Sequence, residues 1–210
     1  MVHPRPSSAR FLAVLLSALA MNAHAETENF DSTQAGALPE GWVEGVTGRG
    51  SPRSTVGADP TAPSGKGVLQ QLGSGTFPWC VKKDLSIADG FVEVKFKPIG
   101  GKEDQAGGVV WRWKDGDHYY VARANALENN VSLYYTTNGR RNTIKYVDAP
   151  VAANVWHTLR AEFAGARMRV SLDGKTYIEA QDSRISGPGA VGVWTKADSI
   201  TSFDDFSYGR

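Results

Sequence analysis

The chain has 210 residues, 41% of them hydrophobic, and 23 lysines and arginines against 22 acids give a formal charge of +1. Near-neutral charge without a basic cluster excludes the electrostatic footprint of a nucleic-acid binder. A single cysteine, Cys80, excludes an internal disulfide framework.

Residues 1–25 read as a signal peptide. Arg5 and Arg10 precede the short apolar run FLAVLLSALA, and Ala23-His24-Ala25 offers small residues at both cleavage-site positions. The run is too short for a membrane span. Cleavage leaves one domain over 26–210, expected to be a monomer in a bacterial periplasm or secreted, without membrane attachment. Two basic residues and no acids leave with the leader, so the mature chain carries −1.

Residues 26–66 are rich in Gly, Pro, Ser and Thr, and predict a turn-rich approach with two or three short strands. Strands then follow at 67–72, 79–83, 90–98, 107–114, 117–125, 130–137, 140–147, 155–164, 167–173, 175–181, 189–196 and 200–208. Cys80, between Trp79 and Val81, reads as a buried small hydrophobe. In 90–98, Val92, Val94 and Phe96 alternate with Glu93, Lys95 and Lys97, which gives one apolar and one polar face.

The stretch 107–147 predicts two consecutive β-hairpins. Asp115-Gly116 and Asn138-Gly139 both suit two-residue type I′ turns. The first turn sets Trp113 against His118, Trp111 against Tyr120 and Val109 against Ala122, with Arg112, Tyr119 and Arg123 on the other face. The second sets Leu133 against Ile144 and Val131 against Tyr146. Further on, a Gly165-Ala166 turn sets Phe163 against Met168, Ala161 against Val170 and Leu159 against Leu172. A three-residue loop, Asp173-Gly174-Lys175, then sets Val170 against Ile178 and Arg169 against Glu179. Three strands sharing one apolar face need a second sheet to cover it, so the fold class is all-β, a sandwich of two antiparallel sheets.

Val155-Trp156-His157-Thr158-Leu159-Arg160 followed by Val170-Ser171-Leu172-Asp173-Gly174-Lys175 resembles the signature of laminin G-like and concanavalin A-like jelly rolls. Gly107–Arg112, Ala124–Val131, Gly192–Ser199 and Phe203-Asp204-Asp205-Phe206 further resemble the bacterial exported 3-keto-disaccharide hydrolase-like family. The resemblance spans about residues 28–208 and implies hydrolysis or elimination at a glycosidic bond of a 3-keto-sugar. The E-x-D-x-x-E motif of laminarinase-type sandwich glucanases is missing: the nearest strand reads Glu93-Val94-Lys95-Phe96-Lys97.

The residue pattern itself nominates a polar sheet face. Arg112, Tyr119, Arg123 and Asn125 share it, and Trp194 and Lys196 have the parity to join it, as a stacking plate and a hydrogen-bonding cation for a sugar. The competing reading has each arginine paired with a structural acid and Trp194 in the core. Glu128, Asp198 and Tyr120 are the candidates for proton transfer. His118 and His157 both fall on core-side faces and are expected to be satisfied core histidines. Asp31, Asp204 and Asp205 are candidates for a structural Ca²⁺ site, or for turn caps and lysine partners. The Asn130-Val131-Ser132 sequon has no role in a bacterial export route. Three functions follow: an enzyme on (keto-)sugars, a non-catalytic carbohydrate-binding module, or a laminin G-like protein-interaction domain.

Overall fold

The computed structural model describes residues 25–210, so the expected signal peptide lies outside the described residues, apart from Ala25. The N-terminal approach supplies β1 (Ala25–Glu28), β2 (Trp42–Ser51) and β3 (Ser54–Ala58). There follow β4 (Gly67–Gln71), β5 (Ser74–Ile87), β6 (Gly90–Gly100), β7 (Ala106–Asp115), β8 (His118–Asn125), β9 (Asn130–Thr137) and β10 (Arg140–Asp148). The last are β11 (His157–Ala164), β12 (Arg167–Leu172), β13 (Lys175–Gln181), β14 (Gly189–Trp194) and β15 (Ile200–Gly209). Every strand expected from residue 67 onward is present, and β5 runs well beyond its expected ends.

The strands form two antiparallel sheets, in the orders β13-β12-β11-β6-β15-β4-β3, with β1 alongside β15, and β10-β9-β8-β7-β14-β5-β2. The core lies between them. Val92, Val94, Phe96, Leu159, Ala161, Phe163 and Val170 of the first sheet meet Val109, Trp111, Tyr120, Ala122, Val131 and Leu133 of the second. Period-two alternation puts these residues inward and leaves Glu93, Lys95 and Lys97 outside. The architecture is the jelly-roll sandwich that the residues imply.

The registers are those expected in the strand bodies and differ at the hairpin tips. Between β11 and β12, Leu159 faces Leu172, Ala161 faces Val170 and Phe163 faces Met168. Between β12 and β13, Val170 faces Ile178 and Arg169 faces Glu179, again as expected. Their connection, however, is a two-residue turn at Asp173 and Gly174 (φ 50° and 77°), with Leu172 paired to Lys175. A bulge beside Ser171 restores the parity that buries Ile178.

The same correction applies to β7 and β8. Trp111 faces Tyr120 and Val109 faces Ala122, but Asp115 pairs with His118, so Gly116-Asp117 forms the turn. A bulge between Trp111 and Asp115 absorbs the shift. Trp113 therefore does not face His118, and His118 leaves the core side for the exposed tip, 2.9 Å from Asp115. Between β9 and β10 the Asn138-Gly139 turn is the expected one (φ 50° and 71°). A bulge between Thr143 and Lys145 then sets Leu133 against Lys145 and Val131 against Val147, instead of Ile144 and Tyr146.

His157 is buried between Asp173 (2.7 Å) and the Ala152 carbonyl (3.0 Å), a satisfied core-edge histidine. Asp31 accepts the Lys66 and Gly67 amides (2.8 and 2.7 Å), and Asp204 accepts the Ser64 amide and hydroxyl (both 3.0 Å). These two acids clip the Ser64–Gly67 segment, while Asp205 pairs with Lys95 at 2.7 Å. No group of three or more potential metal-ligating His, Cys, Asp or Glu side chains forms among the described residues. Cys80 is 2% exposed, and burial pushes its thiol up to about 12.

Two outcomes test this packing. Leu159→Ala, which removes methyl groups fully enclosed between the sheets, is expected to cost about 2–4 kcal/mol in urea unfolding. Cys80 in the native protein is expected to resist a thiol reagent at neutral pH and to react rapidly once the chain is denatured.

Candidate functional site

The site follows from the outer side of the seven-stranded sheet. Cross-strand pairing lines up Ser132, Arg123, Gly108, Trp194 and Trp79 in one row, and Tyr134, Val121, Val110, Gly192 and Val81 in the next. Val81, Val110, Tyr119, Val121, Tyr134 and Trp194 form a buried apolar cluster here, separate from the inter-sheet core, with Phe77 and Trp79 packed on it. Glycine makes room for the indoles. A Cβ on Gly45 would stand 2.3 Å from the Trp79 ring.

This face is concave. Arg141 on β10 and Phe77 on β5 are separated by four strands, so a flat sheet would hold them about 24 Å apart. The Arg141 guanidinium nevertheless lies 4.5 Å from the Phe77 ring. Only a strongly curled sheet lets the two side chains meet.

At one end of the concavity the polar residues converge on Arg123. Its guanidinium is 1% exposed and sits 5.6 Å from the Tyr134 ring. One nitrogen donates to Glu128 (2.6 Å) and Asn130 (2.8 Å), and another lies 3.7 Å from Asp104. Asp104 also accepts from Asn125 (2.7 Å) and pairs with Lys196. Asn130 donates to Glu128 (2.8 Å) and to the Tyr146 hydroxyl (2.8 Å), and accepts from Ser132 (3.0 Å). A guanidinium removed from water needs such compensation, since an unpaired buried charge is costly.

Local structure delivers these groups. Asp198 accepts the amides of Lys102, Glu103 and Asp104 (2.7, 3.0 and 3.1 Å), which pins the loop that presents Asp104. Asn125 accepts the Leu127 amide (2.9 Å), which tightens the turn that presents Glu128. Burial pushes the Asp104 carboxyl up, against the opposing pull of Lys196 and Arg123. Burial also acts upward on Glu128, but hydrogen bonds from Asn130 and the Arg123 charge outweigh it and hold that carboxyl below its usual value.

Of the residues nominated from sequence, Arg123, Asn125, Glu128 and Lys196 come together. Tyr119 and Trp194 occupy the same face further along. Trp194 is only 1% exposed, stacked under Phe77 at 5.6 Å, so it floors the concavity instead of standing open as a plate. The buried Tyr119 hydroxyl lies 2.8 Å from the Thr47 hydroxyl.

Three nominations move elsewhere. Arg112 sits in the β7 bulge at φ 47°, which turns it off the concave face to the end of the sandwich. There it donates to the carbonyls of Ala88 (3.1 Å), Ile185 (3.2 Å) and Gly165 (2.7 Å), and to Asp89 (3.2 Å). Tyr120 faces the core, where it donates to Asp182 at 2.6 Å, and burial with that bond pushes its hydroxyl up to about 12. Asp198 is spent on backbone amides.

Sequence reasoning missed Asp104, Asn130 and Arg141 as contributors. Arg141 belongs to the arginine-rich 107–147 stretch, which was a signal, but its reach across the sheet depends on the curl. Asn130 heads the sequon that had been set aside; its side chain is buried and fully engaged.

Open grooves lie away from this cluster. One of 660 Å³ runs past Glu162, Arg167, Arg169 and Glu179 on the other sheet. Arg169 there pairs with Glu162 (3.6 Å) and Glu179 (3.2 Å), so its charge is already engaged by acids of the same sheet. Hydrogen-bonding capacity converging on one point makes the concave face the candidate site.

No family model matches the chain. A stretch of 91 residues is 31% identical to the levanase of Bacillus subtilis (strain 168), and covers 42% of this chain but only 13% of that protein. The carbohydrate-binding module CBM66 from Bacillus subtilis has a similar structure, with a TM-score of 0.67 and 21% identity over 81% of this chain and 96% of that one. The Bacillus licheniformis beta-glucanase is also similar, with a TM-score of 0.55 and 17% identity over 88% and 97% of the two chains. A Bacteroides ovatus GH16 protein reaches a TM-score of 0.59 with 10% identity over 88% and 99%. The likeness shows the fold. It is a jelly-roll β-sandwich shared by carbohydrate-binding modules and glycosidases.

Arg112→Ala is expected to cost about 2–4 kcal/mol in chemical denaturation, because carbonyls at the sandwich end lose their donor. For Glu128, a folded value below the ordinary 4.5 of a glutamate means its stabilising contribution is complete above that pH. That contribution is lost as the pH falls through the lowered folded value. The parent is therefore expected to lose more stability than Glu128→Gln when thermal melts are carried from neutral pH down through this window.

Proposed function

We propose that this is an exported carbohydrate-binding protein that holds a sugar on the concave face without cleaving it. Arg123 carries the reading. A guanidinium sunk into a sheet face and braced by Glu128, Asn130 and Asp104 is a rigid hydrogen-bonding centre, and half-exposed Glu128 and Lys196 extend it to solvent. Vicinal hydroxyls accept from Lys196 and donate to Glu128, while the aromatic floor beyond excludes water.

The acids argue against turnover. Along the concave strands the outward positions hold Tyr119, Val121, Arg123 and Asn125 on β8 and Asn130, Ser132, Tyr134 and Thr136 on β9, with no carboxylate pair. A glycosidase needs an acid that keeps its proton and a second carboxylate across the bond. Glu128 is held ionised, Asp198 is tied to amides, and Tyr120 is in the core. The similarity to CBM66 in fold, and the levanase stretch, support the binding reading and make levan the first ligand to try. Cleavage of 3-keto-glycosides, implied by the sequence resemblance, is the alternative that the same experiment addresses.

The test is calorimetric titration with levan, mixed-linkage glucan and 3-keto-glucosides, with product analysis after long incubation. Binding without released sugar is expected. Glu128→Gln should weaken it about tenfold, the value of one charge-assisted hydrogen bond, when measured at a temperature where the variant, less stable for want of an Arg123 partner, is still folded. Released sugar from any of these substrates would overturn the binding-only reading. An unaltered affinity in Glu128→Gln would move the site off this cluster.

A further inference from the structure

Arg141 is a cation of the concave face that forms no ion pair with an acid among the described residues. Its guanidinium lies 4.2 Å from the Tyr134 ring, 4.5 Å from Phe77 and 5.6 Å from Trp194. No acidic side chain pairs with it among the described residues, and its Nη1 is buried without an acceptor. A second orphan points to the same place. Arg123 is almost wholly enclosed, yet its Nε also has no acceptor, although the rest of its guanidinium is held. Both guanidiniums sit over one ring, that of Tyr134.

The charges do not balance. Asp104 and Glu128 are already engaged by Arg123, Lys196, Asn125 and Asn130. Arg141 therefore makes a third cation against two acids; Asp104 acts on it without forming an ion pair, in a place where burial is pulling its pKa down. An exposed arginine has water for company; a partly desolvated one between aromatic rings does not.

We propose that the sugar held on the concave face carries a carboxylate, and that this carboxylate pairs with Arg141. This rests on the carbohydrate-binding reading above and narrows its ligand to uronate-type sugars. With the Tyr134 and Phe77 rings within 4.5 Å of the guanidinium and Nη1 lacking an acceptor, N–H donors remain to be satisfied, and a planar carboxylate matches a guanidinium edge bidentately. The sugar ring then lies toward Arg123 and Lys196, where its hydroxyls meet the polar cluster.

The experiment titrates the protein with galacturonate oligomers and with neutral galactan oligomers, at low and high salt, using the parent and Arg141→Gln. The parent is expected to prefer the uronate by about ten- to a hundredfold, the range of a charge-assisted pair. That preference should shrink with salt and disappear in Arg141→Gln, whose melting temperature is checked alongside. Equal affinity of the parent for both oligomers would overturn the inference and leave the carbohydrate-binding reading standing. So would Arg141→Gln binding neutral sugar more tightly while keeping its uronate affinity, since the arginine would then be a plug over the aromatic floor. Absence of binding by any saccharide, levan included, would remove both.

Discussion

The site depends on one constraint: a guanidinium has been placed inside a sheet face and must be neutralised there. At 1% exposure Arg123 has no water to solvate it, so two acids and an asparagine approach it from three segments. Each approach imposes order further away. Asp104 reaches Arg123 because Asp198 fixes the loop between β6 and β7, and Glu128 reaches it because Asn125 fixes the turn between β8 and β9. A polar network of this kind constrains more than it stabilises, since its gains are offset by desolvation. Its main consequence is geometric: donors and acceptors are set before any ligand arrives.

The curl of the seven-stranded sheet is the second requirement. A flat outer face would leave Arg141 and Phe77 far apart, and Trp194 open to solvent. Curling brings β10 toward β5, and the residues between them have to be small or flat. Gly108 and Gly192 lie in the middle strands at outward positions, and Gly45 leaves room for the Trp79 ring. The result is an aromatic floor with a polar cluster at one end, a division of labour suited to a ring with one apolar face and hydroxyls at its edge.

How much of this the sequence disclosed follows from what governs each feature. Alternation fixed the faces of β6, β8, β11 and β12, because the inter-sheet core tolerates no polar side chain there. The pairs Val170–Ile178 and Trp111–Tyr120 were readable for the same reason. Bulges were not. Asp173-Gly174 and Gly116-Asp117 make two-residue turns, and extra strand residues, one in the β12–β13 hairpin and two in β7–β8, reconcile each turn with the buried register. In β7 the irregularity covers Arg112–Lys114 and begins at Arg112 (φ 47°), so parity placed Arg112 with Arg123 when the chain turns it to the sandwich end. Asp104 was illegible because a loop acid acquires meaning only from the charge it meets.

The behaviour of the acids separates holding a sugar from breaking one. A carboxyl able to protonate a leaving group needs surroundings that disfavour its charge and keep it reachable. Asp104 has the first property, since burial pushes it up, but it is fully enclosed and engaged by Lys196 and Asn125. Glu128 has the second, with its side chain partly in solvent, but Asn130 and Arg123 keep it charged. Neither combines both, and the outward positions of β8 and β9 add no third carboxylate. The same network that holds the cluster rigid thereby engages both of its acids. On the proposed reading, selectivity comes from where the fixed charges stand, and Arg141, which forms no ion pair among the described residues, is the charge that bears most on the ligand.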